Sequence, residues 1–277
     1  MTGSNPDFPP ISTSGKKNTI QGAQAFHRAM TLVKLVANNN QKGMRLIDIA
    51  HITGLTIPTT HRLLQALVAE KLLYKIDSSN LYAIGALVYE LGFTAKRRFN
   101  LLQVCTPIVE ILAHKTLASA LFCIKSDDDM VCMVKADSTP DPRKSSVYTG
   151  ARSPLGLCAS GVALLSTLPS DIQQEVIQRN SSQYSLYANA SQAQVIEYCE
   201  QAQKNGYALL PDIHDANTAC VAAPVFNHQG ECVASIAVLL PTSDGESGKY
   251  KNVLPNLENA ASDITLLMDG KNSLWEL

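Results

Sequence analysis

The hydrophobic positions between Met44 and Val68 follow a helical period that a glycine interrupts once. The apolar residues of the first segment share one face of a short helix: Leu46, Ile49 and Ala50. The Thr53-Gly54 pair should end this helix, because glycine accepts the left-handed backbone of a sharp turn. A second apolar stripe predicts another helix: Leu63, Leu64, Leu67 and Val68.

The second helix leaves its polar residues on the side opposite the apolar stripe. Thr56 can cap its start, and Pro58 is tolerated in its first turn. A polar face on the second of two short helices is typical of a helix-turn-helix, whose second helix enters the major groove of DNA. The predicted DNA-binding residues are Arg45, Thr56, Thr59, Thr60, His61, Arg62, Gln65 and Lys75.

Two short β-type runs follow this pair of helices. They cover residues 72–76 and 81–85, and the turn residues Asp77-Ser78-Ser79-Asn80 separate them, which predicts a β-hairpin. A hairpin behind a helix-turn-helix is the wing of a winged helix. An amphipathic helix should precede the pair and cover it through Ala25, Phe26, Ala29, Met30, Leu32, Val33 and Val36.

The rest of the chain alternates between helix-period and strand-period segments. Helical spacing over residues 86–98 predicts a linker helix, and an amphipathic helix should cover 101–117. Strand-like runs at 120–124 and 130–134 flank Asp127-Asp128-Asp129; the glycine and glutamate of a calcium loop are absent, so a solvated turn is predicted. Further strands are predicted at 145–148, 219–226 and 232–240, and helices at 170–205 and 253–267. Together these segments predict an α+β domain.

The segment from Gly150 to Leu165 is rich in small residues and should be a tight loop that leads into a helix. Free backbone N–H groups at such a helix start attract anions. Gly156 and Gly161 do not form a phosphate loop, since Val162-Ala163 replaces the Lys-Ser/Thr pair, and Ser160 is not in a G-x-S-x-G elbow.

Composition narrows the class of protein. The 277 residues are 45% hydrophobic and 17% charged, as in a soluble globular protein, and they contain no apolar run long enough to span a membrane. Residues 1–19 lack an apolar core segment and are expected to be a disordered leader rather than a signal peptide. The seven cysteines show no C-x-x-C spacing, which favours reduced thiols in a cytoplasmic protein. No cofactor is expected.

Charge is divided unequally between the two parts of the chain. Residues 1–85 carry nine Lys+Arg and four Asp+Glu, a net +5, whereas the remainder carries 14 and 20, a net −6. A basic small domain joined to an acidic larger one is typical of a DNA-binding domain attached to another function.

Several segments together resemble the IclR family of bacterial transcriptional regulators, over roughly residues 20–270. In the N-terminal part they are Ala25-Phe26-His27-Arg28-Ala29-Met30, Asp48-Ile49-Ala50, Thr53-Gly54-Leu55, His61-Arg62-Leu63-Leu64 and Ile84-Gly85. Further matches are the Gly150–Leu165 loop and Cys220-Val221-Ala222-Ala223-Pro224-Val225-Phe226. The family implies a GAF-like effector domain that binds a small organic acid, and a homodimer or dimer of dimers on operator DNA. Carried over by position, the effector-binding residues are Ser145, Leu157, Cys158, Ala159, Ser160, Leu210, Cys220 and Ala237.

This chain departs from the family pattern where polar groups usually contact the effector. Leu210 replaces an acidic residue, and Ala237 and Leu239 replace serines. Asn217 stands where glycine is usual. Losing polar groups disfavours a small polar ligand, because an unpaired buried polar atom costs ~1–3 kcal/mol. We therefore expect an effector with an apolar body, such as an aromatic acid. On the DNA side, Ile57 replaces a common basic residue.

These observations predict an order of segments along the chain: a leader (1–19), a winged helix-turn-helix (20–85), a linker helix (86–100), an effector domain (101–270) and a tail (271–277). The predicted function is an effector-responsive DNA-binding regulator without enzymatic activity, either a repressor or an activator. Two alternatives remain: an enzyme with an appended DNA-binding domain that uses Cys158, Cys220 or His214, and a constitutive DNA-binding scaffold with a vestigial pocket. A zinc site at Cys220, His214 and a distant cysteine also stays open, although ligand-like spacing is missing.

Overall fold

The chain divides into two units, Met1–Arg97 and Arg98–Leu277. The first is built mainly from helices, and the second contains long antiparallel strands. The structure is a computed structural model that describes residues 23–40, 42–95, 101–138, 147–185, 190–211 and 217–267. Within these ranges, no helix is both long and apolar enough to cross a membrane.

The first unit is a winged helix-turn-helix, which confirms the predicted fold. Its elements are α1 (Gln24–Asn38), β1 (Met44–Arg45), α2 (Leu46–Thr53), α3 (Ile57–Ala69), β2 (Leu73–Ile76), β3 (Leu81–Ile84) and α4 (Ala86–Ala95). The predicted hairpin is present as β2 and β3, paired from Leu73↔Ile84 to Ile76↔Leu81. The sequence did not predict β1, which adds a third strand beside β3.

The core of the first unit forms where α1 packs on α3 and on the wing. Its fully buried side chains include Leu32, Leu35, Val36, Ile49, Leu64 and Leu73. Two residues predicted to cover the helix pair do not do so: Ala25 is exposed, and Phe26 is 65% exposed. Both lie in the first turn of α1, before the first fully buried residue of this helix, so helical spacing alone could not show that they lie outside the core.

The second unit is α+β, as predicted. Its elements are α5 (Leu101–Thr116), β4 (Ser119–Ser126), β5 (Asp129–Asp137), β6 (Arg152–Pro154), α6 (Ala159–Leu165), α7 (Ser170–Tyr184), α8 (Gln192–Asn205), β7 (Ala208–Pro211), β8 (Thr218–Phe226), β9 (Cys232–Pro241), α9 (Thr242–Glu246), a 3₁₀ turn (Lys249–Asn252) and α10 (Leu254–Leu267). The strands form one antiparallel sheet in the order β6-β5-β4-β9-β8-β7.

Helices cover both faces of this sheet. Successive residues of a strand point to opposite faces, so each strand contributes side chains to both helix layers. On β8, Val221, Ala223 and Val225 belong to a core shared with α5 and α10. Cys220 and Ala222 face the other way, into a core shared with α6, α7 and α8. We call this second core the α6–α8 layer.

One predicted segment of the second unit differs in the structure. Ser145, at the start of the predicted 145–148 strand, lies outside the described residues, and Val147 and Tyr148 are not in a strand. The strand of this region is β6, which pairs with β5. The helical region at 170–205 consists of two helices, α7 and α8.

Candidate DNA-binding and effector sites

The turn between α2 and α3 is set by two residues that the sequence indicated. Gly54 ends α2 with a φ of 65°, a left-handed conformation that costs glycine little. Thr56 caps α3: its hydroxyl oxygen accepts from the Thr59 N–H (3.4 Å), and its hydroxyl donates to Thr59 Oγ1 (2.9 Å). The predicted cap is therefore confirmed, and it fixes where α3 begins.

The polar side of α3 is accessible to solvent. His61, Arg62 and Gln65 are exposed, and Thr59 is half-buried beside the exposed Thr56. Outside the helix, Arg45 is exposed at the end of β1 and Lys75 on β2. Guanidinium, amide and hydroxyl groups on one helix face are the donors and acceptors that can read base edges in a major groove.

Thr60 does not belong to this face. Its side chain is fully buried, and its hydroxyl donates to the Thr56 carbonyl oxygen (3.1 Å). Thr60 is followed at i+4 and i+7 by Leu64 and Leu67, so it lies on the apolar stripe of α3 and packs into the core. The prediction that Thr60 contacts DNA is wrong, because its hydroxyl is used inside the unit.

One exposed residue of the wing was not among the predicted contacts. Tyr74 is 49% exposed and precedes Lys75 on β2. Strand periodicity could have indicated it, since its neighbour Leu73 is buried and adjacent strand residues face opposite sides. Tyr74 adds an aromatic ring and a hydroxyl to the accessible surface of the wing.

The predicted effector-binding residues of the second unit are brought together in the α6–α8 layer. Those with buried side chains are Leu157, Ala159, Ser160, Leu210, Cys220 and Ala237. Cys158 is half-buried and packs against them. On the sheet, Leu210 lies opposite Cys220, which lies opposite Leu239. Ser145 lies outside the described residues.

The loop before α6 requires glycine at position 156. Gly156 has a φ of 100°, and a Cβ there would approach Val195 Cγ1 to 2.6 Å and the Tyr184 hydroxyl oxygen to 2.8 Å. Cys158 caps α6, and its sulfur accepts from the Gly161 N–H (3.4 Å). The Gly161 N–H, one of the donors expected to attract an anion, is therefore already hydrogen-bonded within the chain.

The acidic tip between β4 and β5 is not a solvated turn, contrary to the prediction. Asp128 accepts two hydrogen bonds from the Arg179 guanidinium (2.7 and 2.9 Å), and Asp129 pairs with Arg152 (3.1 Å). The pKa of Arg179 is raised, first by the hydrogen bonds to Asp128. No local sequence pattern indicates these ion pairs, since the arginines lie 51 and 23 residues from their partners.

Two further side chains of α7 attach this tip to the loop. Asn180 donates from Nδ2 to the Asp128 carbonyl oxygen (2.9 Å), and the buried Tyr184 hydroxyl donates to the Leu155 carbonyl oxygen (2.6 Å). Burial raises the pKa of Tyr184 well above its usual range, which keeps the hydroxyl a donor. The loop beside the predicted effector residues is therefore anchored to α7.

A cavity of about 180 Å³ lies at the edge strand β7, between α8 and the 3₁₀ turn. Tyr198, Tyr207 and Tyr250 line it, and the last two share a hydroxyl–hydroxyl hydrogen bond (3.2 Å). Burial, and then Tyr250, raise the pKa of Tyr207 to about 12. Leu210 is the only predicted effector residue among the cavity-lining residues, so this cavity is not the predicted pocket.

The residues of the alternative catalytic and zinc sites are not assembled in the described part of the chain. Over those ranges, no group of three or more His, Cys, Asp or Glu side chains could hold a metal ion. Cys158 and Cys220 contribute to the α6–α8 layer, and His214 lies outside the described residues.

Two family models match the chain. The IclR helix-turn-helix domain matches residues 26–77, and the bacterial transcriptional regulator IclR C-terminal domain matches residues 93–266. Together they include the helix-turn-helix and all six strands of the second unit, whereas β3 of the wing lies between the two matched segments.

Related proteins match over nearly the full length. The HTH-type transcriptional regulator BhcR of Paracoccus denitrificans is 26% identical, covering 92% of this chain and 91% of the relative. The transcriptional repressor IclR of Escherichia coli is 24% identical over 89% of this chain and 90% of its own.

Solved structures share the fold. An IclR family transcriptional regulator from Brucella abortus has a TM-score of 0.72 at 18% identity, covering 96% of this chain and 99% of that one. An IclR homologue from Microbacterium hydrocarbonoxydans, complexed with 4-hydroxybenzoate, has a TM-score of 0.66 at 17% identity, covering 88% and 98%. With two family models matched along most of its length, the chain belongs to the IclR family of bacterial transcriptional regulators.

Proposed function

We propose that this regulator binds double-stranded operator DNA through the exposed face of α3, and that an aromatic carboxylic acid bound in its second unit changes that binding. The observation that carries the DNA part is the accessible set His61, Arg62 and Gln65 on a capped helix. The site of action is then the cytoplasm, where bacterial DNA resides.

The effector part of the proposal rests on the chemistry of the α6–α8 layer. Leu210, Ala237 and Leu239 offer hydrocarbon and no charge, and Cys220 offers a weakly polar thiol. An apolar wall binds the ring of an aromatic acid well but leaves the groups of a small polar acid unpaired. The 4-hydroxybenzoate held by the Microbacterium relative is an acid of this class.

A homodimer or dimer of dimers is the proposed assembly, because one recognition helix reads too few base pairs for useful specificity. Support comes from large apolar side chains that the single chain leaves exposed in the first unit: Phe26, Tyr89, Leu91 and Phe93. No residue of α4 is buried in the single chain. Exposed apolar side chains on this scale are typical of protein–protein interfaces.

Communication between the two functions follows from linkage. An effector that prefers one arrangement of the assembly shifts the population towards it, and operator affinity changes by the same coupling free energy. The effector then acts by changing the spacing of the two α3 helices, and the outcome is repression or activation depending on the operator.

Selection from a random duplex library tests the DNA part. Bound sequences should converge on a pseudo-palindrome with half-sites one or more helical turns apart, about 10 bp each. Light scattering should give a dimer or larger species. Absence of any enriched sequence, or a monomer both free and on DNA, would contradict the proposal.

A thermal-shift screen against aromatic and aliphatic carboxylates tests the effector part. Aromatic acids should raise the melting temperature, because a ligand that binds only the folded state stabilises it. Chromatography after incubation should recover the ligand unchanged. Conversion of the ligand would indicate an enzyme, and no shift with any acid would indicate a scaffold without an effector.

A further inference from the structure

Two cysteines of the second unit lie directly opposite each other on neighbouring strands. Cys123 of β4 pairs with Cys132 of β5, immediately after a register shift between Phe122 and Cys123. Both side chains are fully buried in the α6–α8 layer. The structure describes all seven cysteines of the chain, and none of them forms a disulfide.

The backbone shows which type of strand pair this is. The Cys132 N–H donates to the Ala151 carbonyl oxygen (2.9 Å), and the Cys132 carbonyl oxygen accepts from the Gly150 N–H (2.7 Å). Both groups of Cys132 thus point away from β4, so Cys123 and Cys132 form a non-hydrogen-bonded pair. In such pairs the Cα atoms are only about 4.5 Å apart and the side chains approach closely. A disulfide spans Cα separations of about 4.4–6.8 Å.

The two thiols also differ chemically. The pKa of Cys132 is lowered, first by a hydrogen bond from Cys123 and also by the charge of Lys135, although burial acts in the opposite direction. The pKa of Cys123 is raised, first by its hydrogen bond to Cys132 and then by burial. Cys132 is therefore the better nucleophile of the two, which suits it to the final exchange with a disulfide at Cys123.

A third cysteine gives the buried pair a connection towards solvent. Cys158 is half-buried, and its charge raises the pKa of the Cys123 thiol. Its sulfur accepts a hydrogen bond from the Gly161 N–H (3.4 Å), which holds the side chain at the start of α6. An oxidant that cannot reach Cys123 or Cys132 can meet Cys158 first.

We propose that Cys158, Cys123 and Cys132 form a thiol relay that a hydroperoxide oxidises, and that the stable product is a reversible Cys123–Cys132 disulfide. This inference rests on the cysteine geometry and does not depend on the proposed DNA or effector contacts. The disulfide covalently links β4 to β5 beside the residues proposed to bind the effector.

The steps balance with hydrogen peroxide as the oxidant. The Cys158 thiolate attacks one peroxide oxygen, the O–O bond breaks, and a sulfenic acid and water form once a proton is taken up. The Cys123 sulfur then attacks the Cys158 sulfur; the S–O bond breaks and a second water leaves with the thiol proton. Finally, the Cys132 thiolate attacks Cys123 and releases the Cys158 thiolate. Two thiols and one peroxide become one disulfide and two waters.

Disulfide mapping of the reduced full-length chain tests the proposal. The folded protein is treated with hydrogen peroxide, its remaining thiols are alkylated with N-ethylmaleimide, and the digest is analysed by mass spectrometry. We expect loss of two alkylatable thiols per chain, a crosslink between the Cys123 and Cys132 peptides, and recovery of both thiols with dithiothreitol. A crosslink between another pair, or one that forms only after unfolding in urea, would overturn the proposal.

Three variants test the order of the relay. Cys132→Ala should trap a Cys123–Cys158 crosslink, because the final exchange is lost. Cys158→Ser should slow the formation of the Cys123–Cys132 disulfide several-fold, and an unchanged rate would exclude Cys158 as the entry point. Cys105→Ala is the matched control: Cys105 is equally buried but belongs to the core on the other face of the sheet, so both rate and product should stay unchanged.

Discussion

On α3, the residues proposed to contact DNA lie within two turns of one helix and face solvent, whereas the residues proposed to contact an effector come from β7, β8 and β9 and are buried. A substitution on the exposed face of α3 removes a contact with the partner and leaves the core intact. A substitution in the α6–α8 layer changes packing as well as ligand contacts. Substitutions at the DNA site should therefore lower operator affinity without changing stability. Substitutions at the effector site should change both ligand affinity and stability.

The largest loss of stability is expected from a substitution in the loop before α6. Gly156→Ala places a Cβ within 2.8 Å of both Val195 and Tyr184 at a φ of 100°. Overpacking and left-handed strain together should lower the free energy of unfolding of the second unit by about 2–4 kcal/mol. Chemical denaturation followed by circular dichroism measures this change.

Gly150→Ala is the control for that loss. Its φ is 92°, but among the described residues no atom beyond its chain neighbours lies within 4 Å of the added Cβ. It should cost only the backbone strain, about 1–2 kcal/mol. Equal losses in the two variants would show that close packing around Gly156 does not matter.

The ion pair at the acidic tip should have the next largest effect. Arg179→Gln removes both hydrogen bonds to Asp128, a largely buried carboxylate, and should destabilise the second unit by about 1.5–3 kcal/mol. In the control, Glu175→Gln, the lost pair with Arg179 is exposed and should be worth at most about 0.5 kcal/mol. Urea denaturation compares the two, and a larger loss for Glu175→Gln would contradict this assignment.

An exposed arginine of α3 should behave in the opposite way. Arg62→Ala should weaken operator binding by about 1–3 kcal/mol and relax sequence preference if Arg62 makes a bidentate contact with guanine. Its melting temperature should stay unchanged because the side chain is exposed. Fluorescence anisotropy with a selected operator measures the affinity. The control is Lys125→Ala, which removes the same charge from an exposed position of the second unit. Unchanged affinity and specificity in Arg62→Ala would exclude the contact.

The smallest expected effect separates two adjacent threonines. Thr60→Val removes a buried donor to the Thr56 carbonyl oxygen and should cost about 0.5–1.5 kcal/mol of stability while operator affinity is kept. Thr59→Val should instead reduce operator affinity with little loss of stability. Thermal unfolding and anisotropy on both variants check this, and the reverse pattern would contradict the burial of Thr60.

Local signals predicted the first unit well because its defining features lie close together in sequence. Gly54, the Thr56 cap and the leucine stripe are all within fifteen residues, so helix period and capping chemistry suffice. Thr60 was misassigned because its hydroxyl marked it as polar, although its spacing from Leu64 and Leu67 places it on the apolar stripe. Ala25 and Phe26 were misassigned because an amphipathic pattern does not show where a core ends.

The second unit depends on contacts that are distant in sequence. The strand runs and the α+β class follow from local patterns, but the register that places Leu210 opposite Cys220 does not. The same holds for Arg179 and Asp128, whose separation of 51 residues leaves no periodic signal. The candidate effector residues came from family resemblance, since no spacing rule brings α6, β7, β8 and β9 together.

Isothermal titration calorimetry of the full-length protein with benzoate-sized and glyoxylate-sized acids shows which class of effector the second unit binds. The apolar wall of Leu210, Ala237 and Leu239 should make the wild-type chain bind benzoate more tightly than glyoxylate. Leu210→Asp should weaken benzoate binding, because a second carboxylate is desolvated near that of the ligand. Tighter binding of glyoxylate than of benzoate by the wild-type protein would contradict the proposed aromatic effector.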